Sequence, residues 1–152
     1  MKNNILILSA IGIALFTFAC SDKDDNIICS KEYIILMLNA EYAWNNEPVT
    51  LDSFNVYTTS SHKNITIKQS DLKMAEMRKY GSYPIIDDRF VNNPEFRNKQ
   101  TEVEFNGFLN GQQIISEKYI VGTDDCHACY YSGNLNIRLP LEGCVEKLLV
   151  SE

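Results

Sequence analysis

Apolar residues fall first into one long block and afterwards into short runs. Ile5 to Ala19 is almost wholly apolar, broken only by Ser9, Gly12 and Thr17. Tyr33 to Leu38 is a continuous run bounded by polar residues, which predicts a strand buried on both faces. Asn39 to Asn46 reads as a loop carrying the lone tryptophan, Trp44. Val49 and Leu51 then alternate with Thr50 and Asp52, Phe54, Val56 and Tyr57 extend the pattern, and Ile65-Thr66-Ile67 predicts a further short strand. His62, in the polar turn between them, reads as a solvated loop residue.

Ser70 to Tyr80 changes period. Ser70 suits an N-cap, Asp71 the positive end of a helix and Gly81 its stop. Leu72 with Ala75, Met74 with Met77, and Met77 with Tyr80 are the apolar pairs, with Lys73 and Glu76 facing solvent. Tyr83 to Ile86 reads as extended and Asp87 to Lys99 as an irregular loop.

A hairpin is expected from Thr101 to Val121, turning at Asn110-Gly111. A two-residue loop would oppose Glu104 and Glu117. A three-residue loop, Leu109-Asn110-Gly111, pairs Glu102 with Lys118 and Phe105 with Ile115, and is the expected register. Leu135 to Leu139 alternates as another strand, and Val145 to Val150 suggests a last one. Short strands, frequent turns and one helix near 71–80 predict a mainly β protein, an antiparallel β-sandwich.

The opening block is too short for a membrane-spanning helix and follows a single cation, Lys2, which suits a signal peptide. It ends in Thr17-Phe18-Ala19-Cys20, which resembles a lipobox with Thr in place of the usual Leu. That resemblance implies cleavage before Cys20 and lipid on its sulfur; an ordinary signal peptide is the alternative. Ser21 to Asn26 is a hydrated acidic spacer. It resembles the export tag that sends lipoproteins of some gut anaerobes to the outer face of the outer membrane, with the periplasmic face as the alternative. The expected division is a signal peptide at 1–19, lipidated cysteine and linker at 20–28, and one sandwich domain at 29–152.

Charge narrows the partners. The formal net charge is −6, and all 20 acids lie beyond residue 19. With Arg78-Lys79 the only adjacent cations, nucleic-acid binding is not expected. The membrane is expected to be reached through lipid, and an extracellular protein or glycan is the other partner considered.

Apart from Cys20, cysteines stand at Cys29, Cys126, Cys129 and Cys144, and in an exported chain read as two disulfides. If the strands following Cys29 and preceding Cys144 run parallel, Cys29 approaches the Cys126–Cys129 loop. If they run antiparallel, it approaches Cys144. The parallel arrangement, Cys29–Cys126 with Cys129–Cys144, is expected. The sharper readings of Cys126-His127-Ala128-Cys129 are a redox CxxC and a zinc site of Cys126, His127, Cys129 and Cys144. Acids before the CxxC disfavour a thiolate, and neighbouring Cys126 and His127 rarely face one ion.

The sequence also resembles uncharacterised surface lipoproteins of gut anaerobes with an immunoglobulin-like or prealbumin-like (carboxypeptidase regulatory-like) sandwich. The resemblance rests on Cys29 to Tyr33, Glu47 to Asp52, Tyr83 to Asp88, Phe105 to Phe108, Glu117 to Gly122, Asp125-Cys126-His127 and Ser132-Gly133. It implies fold and location and no mechanism.

No nucleophile signature such as GxSxG or HExxH appears, so no enzyme activity and no cofactor are expected. Asp87-Asp88 and Asp124-Asp125 carry oxygen ligands suited to calcium but read better as solvated turn acids. Trp44, Tyr130 and Tyr131, with Tyr42, are candidate contacts for a ligand such as a sugar ring. The expected function is a non-catalytic binding or assembly module. The alternatives are a carbohydrate-binding accessory subunit of an outer-membrane uptake system and a redox or zinc protein.

Overall fold

The computed structural model describes residues 28–140. The signal peptide, Cys20, the acidic linker up to Ile27, Cys144 and the suggested strand at Val145 to Val150 lie outside them. Seven strands form two sheets: β1 (Ile35–Tyr42), β2 (Ser53–Thr58), β3 (Ser82–Asp87), β4 (Thr101–Leu109), β5 (Gln112–Thr123), β6 (Ala128–Ser132) and β7 (Asn136–Leu139). One helix, α1 (Asp71–Tyr80), lies between β2 and β3. The sheets run β3-β1-β7 and β2-β4-β5-β6. The protein is a mainly β sandwich with one short helix, as the pattern predicts. The four-stranded sheet is antiparallel throughout, whereas β1 pairs antiparallel with β3 and parallel with β7.

One core joins the two sheets. Leu38, Tyr83, Ile85 and Ile137 meet Val56, Val103, Phe105, Tyr119 and Val121, and the turn residues Val49 and Leu51 close the layer. Phe54 stacks on Phe105 with ring centroids 5.4 Å apart. Such pairs add a little attraction to the area they bury.

β1 departs from its expected limits. It starts at Ile35 and continues to Tyr42, two turns of pleat into the predicted loop. Only Leu38 and Ala40 are fully buried in it, Met37 is half-buried, and Tyr33, just before it, is exposed. One face of β1 packs into the sandwich. The other is partly covered by α1, across a cleft of about 320 Å³ bounded by Ile35, Met37, Met77 and Tyr80.

The helix forms where its caps predict. Ser70 Oγ accepts the Lys73 amide, and Gly81 ends the helix at φ 62°. Lys73 and Glu76 pair on its solvent side at 2.9 Å. Its apolar pairs do not all pack: Met77 alone is buried, and Leu72 is 86% exposed. The helix is held instead by Arg78, whose Nε and Nη2 donate to the Leu51 and Asp52 carbonyls at 2.9 and 2.6 Å.

Residues 65–67 do not make a full strand. Ile65 and Ile67 are buried, but backbone pairing to β2 is limited to the neighbourhood of Asn64 and Ile65. Thr66 Oγ1 takes over and accepts the Val56 amide at 2.9 Å. The segment thereby covers the open edge of β2. The predicted irregular loop after Asp87 is also more ordered than expected. Asp88–Phe90 forms a 3-10 turn, Phe96 enters the core, and Phe96 and Asn98 exchange backbone bonds with Thr123.

The hairpin turns at Asn110-Gly111, but neither sequence-based register is correct. Both turn residues have positive φ, 52° and 76°, and Leu109 faces Gln112, so the loop has two residues. The register then shifts between Gly107 and Phe108, which face Ile115 and Gln113, leaving Ile114 as the extra residue. The bulge places Glu104 opposite Lys118 and removes the Glu104–Glu117 clash. Glu102 still reaches Lys118, diagonally, at 3.1 Å.

Candidate functional site

Parallel pairing of β1 with β7 brings the segment before β1 to the loop before β6. Cys29 and Cys126 form a disulfide there, with Cα atoms 5.3 Å apart. This is the pairing expected for parallel strands. Cys129 has no disulfide partner among the described residues, and its expected partner Cys144 lies outside them.

Each bridged cysteine is followed by a polar residue, Ser30 or His127, and the bridge brings these two together. Ser30 Oγ lies 3.0 Å from His127 Nε2. His127 Nδ1 lies 2.9 Å from Asp88 Oδ2. Asp88, immediately after β3, also accepts the Ile34 amide at 2.9 Å and the Ala128 amide at 2.8 Å. Asp88 and His127 side chains are 11% and 21% exposed, whereas Ser30 lies at the surface. The result is a continuous Ser30–His127–Asp88 hydrogen-bond chain.

The loop carrying His127 is fixed independently. Asp124 Oδ1 accepts the amides of Cys126 and His127 at 2.6 and 2.7 Å, and the Asp124 amide donates to the His127 carbonyl at 3.0 Å. Asp125 receives Arg97 Nε and Nη2 at 3.1 and 2.9 Å and Asn98 Nδ2 at 3.1 Å. Arg97, followed by Asn98, holds its carboxyl below the usual range.

Electrostatics favour one arrangement of protons. Burial pushes the Asp88 carboxyl up, but the Ile34 amide, the His127 ring and the Ala128 amide together hold it below the usual value. An ionised Asp88 can only accept, so the neutral imidazole donates through Nδ1. Its Nε2 lone pair then faces the Ser30 hydroxyl.

The other sequence candidates fare differently. Of the four acids, Asp124 is an exposed turn acid as expected, whereas Asp87 and Asp88 are withdrawn from solvent. Asp87 is 1% exposed and bonded to Arg89, with Nη2 at 2.8 Å, and Asp88, Asp124 and Asp125 all accept protein donors. Among the described residues no group of three or more His, Cys, Asp or Glu could hold a metal ion. Of the zinc set, Cys126 is consumed in the bridge and His127 is turned to Asp88 and Ser30. The CxxC does not close on itself, because Cys126 pairs outside it; the Cys129 thiol donates to the His127 carbonyl at 3.6 Å.

Trp44, Tyr130 and Tyr131 are all exposed, at 61%, 40% and 45%. They do not assemble into one platform. Tyr130 and Tyr131 are consecutive on β6 and face opposite sides of the sheet. Tyr130 lies opposite the buried Val121, and its hydroxyl donates to the Gly133 carbonyl at 2.8 Å. Trp44 stands in the turn after β1, and among the described residues no ring contact joins it to either tyrosine.

No family model, curated protein or solved structure matches the chain.

Of the corner's three members, the sequence raised His127 only within a disfavoured zinc set and Asp88 only as a calcium ligand ranked below a solvated turn acid, and it gave Ser30 no role. The signal was present in the cysteines. The Cys29–Cys126 bridge joins the two segments, and here the residues that follow each cysteine, Ser30 and His127, meet.

Proposed function

We propose that the chain is a lipoprotein anchored through lipid on Cys20 and displayed at the outer-membrane surface. Its β-sandwich works there by binding or assembling with an extracellular protein or glycan. The observation that supports this best is the Cys29–Cys126 bridge. Such a bond persists in oxidising compartments outside the cytoplasm, where a chain opening with Ile5 to Ala19 and Thr17-Phe18-Ala19-Cys20 would be sent. The bridge begins only nine positions after Cys20. Cys29 therefore lies within reach of the bilayer, at most about 30 Å of chain from the anchor.

The test is the state of Cys20. Mass spectrometry of the membrane-extracted protein should find an acylated N-terminal cysteine, and Cys20→Ala should move the protein to the soluble fraction. Retention of the variant on membranes would overturn the anchor. Replacing Asp22, Asp24 and Asp25 with alanine should lower cleavage by external protease on intact cells. Unchanged cleavage would remove the export signal and leave the anchor standing.

A further inference from the structure

We propose that Ser30 is an activated nucleophile able to take an acyl group from small activated esters, with His127 as its general base and Asp88 as the group that orients His127. This goes beyond the binding reading and does not depend on it.

The geometry supplies the parts that such chemistry needs. Nucleophile and base are within hydrogen-bond distance, 3.0 Å, and base and orienting carboxylate are at 2.9 Å. The carboxylate is held by two backbone amides from different segments, Ile34 and Ala128, so its position does not depend on His127. The imidazole is placed by the Asp124 turn on one side and by the bridge on the other. Among the described residues no acceptor is bonded to the backbone N–H of Ser30 or Lys31.

The chemistry balances with water as the only co-reactant. Ser30 Oγ attacks the ester carbonyl carbon while its proton passes to His127 Nε2. The bond to the leaving alcohol breaks, and the alcohol departs with that proton. Water then attacks the acyl-serine and gives a proton to Nε2. The acid leaves as the proton returns to Ser30 Oγ. Asp88 stays ionised throughout. Ser30 lies at the surface, so the acyl groups proposed are short ones on activated esters, which need little binding energy to react.

The test uses the full chain in detergent and a fluorophosphonate probe, which reports a nucleophilic serine by a covalent phosphonyl adduct. Peptide mass spectrometry should find the adduct on Ser30 in folded protein and not in urea. Hydrolysis of p-nitrophenyl acetate should fall about a hundredfold in Ser30→Ala, the lower end of what general-base assistance supplies. Ser30 lies outside every strand and helix, so this variant is expected to fold. Asp88→Asn should lose labelling with near-ultraviolet circular dichroism retained, and reduction of Cys29–Cys126 should also lower it. Absence of an adduct on Ser30 in folded wild-type protein would overturn the proposal and leave the chain of bonds as a structural lock. An equal adduct in folded His127→Gln would overturn it too, showing that the base has no role.

Discussion

The Tyr83 hydroxyl donates to the Val49 carbonyl at 2.7 Å inside the core. The same oxygen accepts the Leu51 amide at 2.7 Å, so one side chain of β3 satisfies two backbone groups of a buried turn. Val49, Leu51 and Tyr83 are each 0% exposed, and water cannot replace these bonds. Tyr83→Phe should therefore destabilise the fold by about 2 kcal/mol, the cost of leaving buried groups unpaired. Urea unfolding, read by midpoint at unchanged slope, measures it.

Gly122 meets a different limit. A Cβ at this position would stand 1.9 Å from the Lys99 carbonyl oxygen, which is backbone and cannot swing aside. Gly122→Ala should cost about 3 kcal/mol, at the upper end of overpacking effects. Its thermal midpoint should drop well below that of Gly111→Ala, where a Cβ meets nothing within 4 Å and only the positive φ is penalised.

The disulfide closes a 97-residue separation. In the chain-entropy picture a loop of this size contributes about 4 to 5 kcal/mol by restricting the unfolded chain. Cys29→Ser with Cys126→Ser, compared with wild type in urea, should lose a large part of that. Cys129→Ser should leave the bridge intact on non-reducing peptide maps.

Acid should loosen the same corner. The Asp88 carboxyl is held below its usual value in the folded chain. Its contribution is thus fully present above the unfolded carboxylate range and disappears as pH falls through the lowered folded value. Urea midpoints followed from pH 7 to pH 3 should fall more steeply for wild type than for Asp88→Asn.

Trp44 carries no comparable structural weight. At 61% exposure, Trp44→Ala should change stability by less than about 0.5 kcal/mol. A change in binding to a surface partner without a change in urea midpoint would locate the contact at this turn.

Local chemistry was legible in the sequence and pairing between distant segments was less so. Ser70 and Gly81 bound the helix because caps act within one turn. The Cys29–Cys126 pairing followed from taking the first and last strands to meet in parallel, as β1 and β7 do. The hairpin register failed because Ile114 bulges out of an apolar Ile114-Ile115 pair, and either isoleucine could have faced inward. Leu72 was assigned to packing by spacing alone, yet Arg78 anchors the helix through carbonyls that no apolar pattern reports. Ser30, His127 and Asp88 lie 39 to 97 positions apart, so no local motif joins them.

The bridge also sets a load path. Tension entering from the residues before Cys29 passes through sulfur to Cys126, at the loop that opens β6. Residues 30–125 form a closed ring that such a pull cannot lengthen, and β1 is not peeled from β3 and β7 one bond at a time. Under traction from its N-terminal side, the domain hangs from the closure of its own loop.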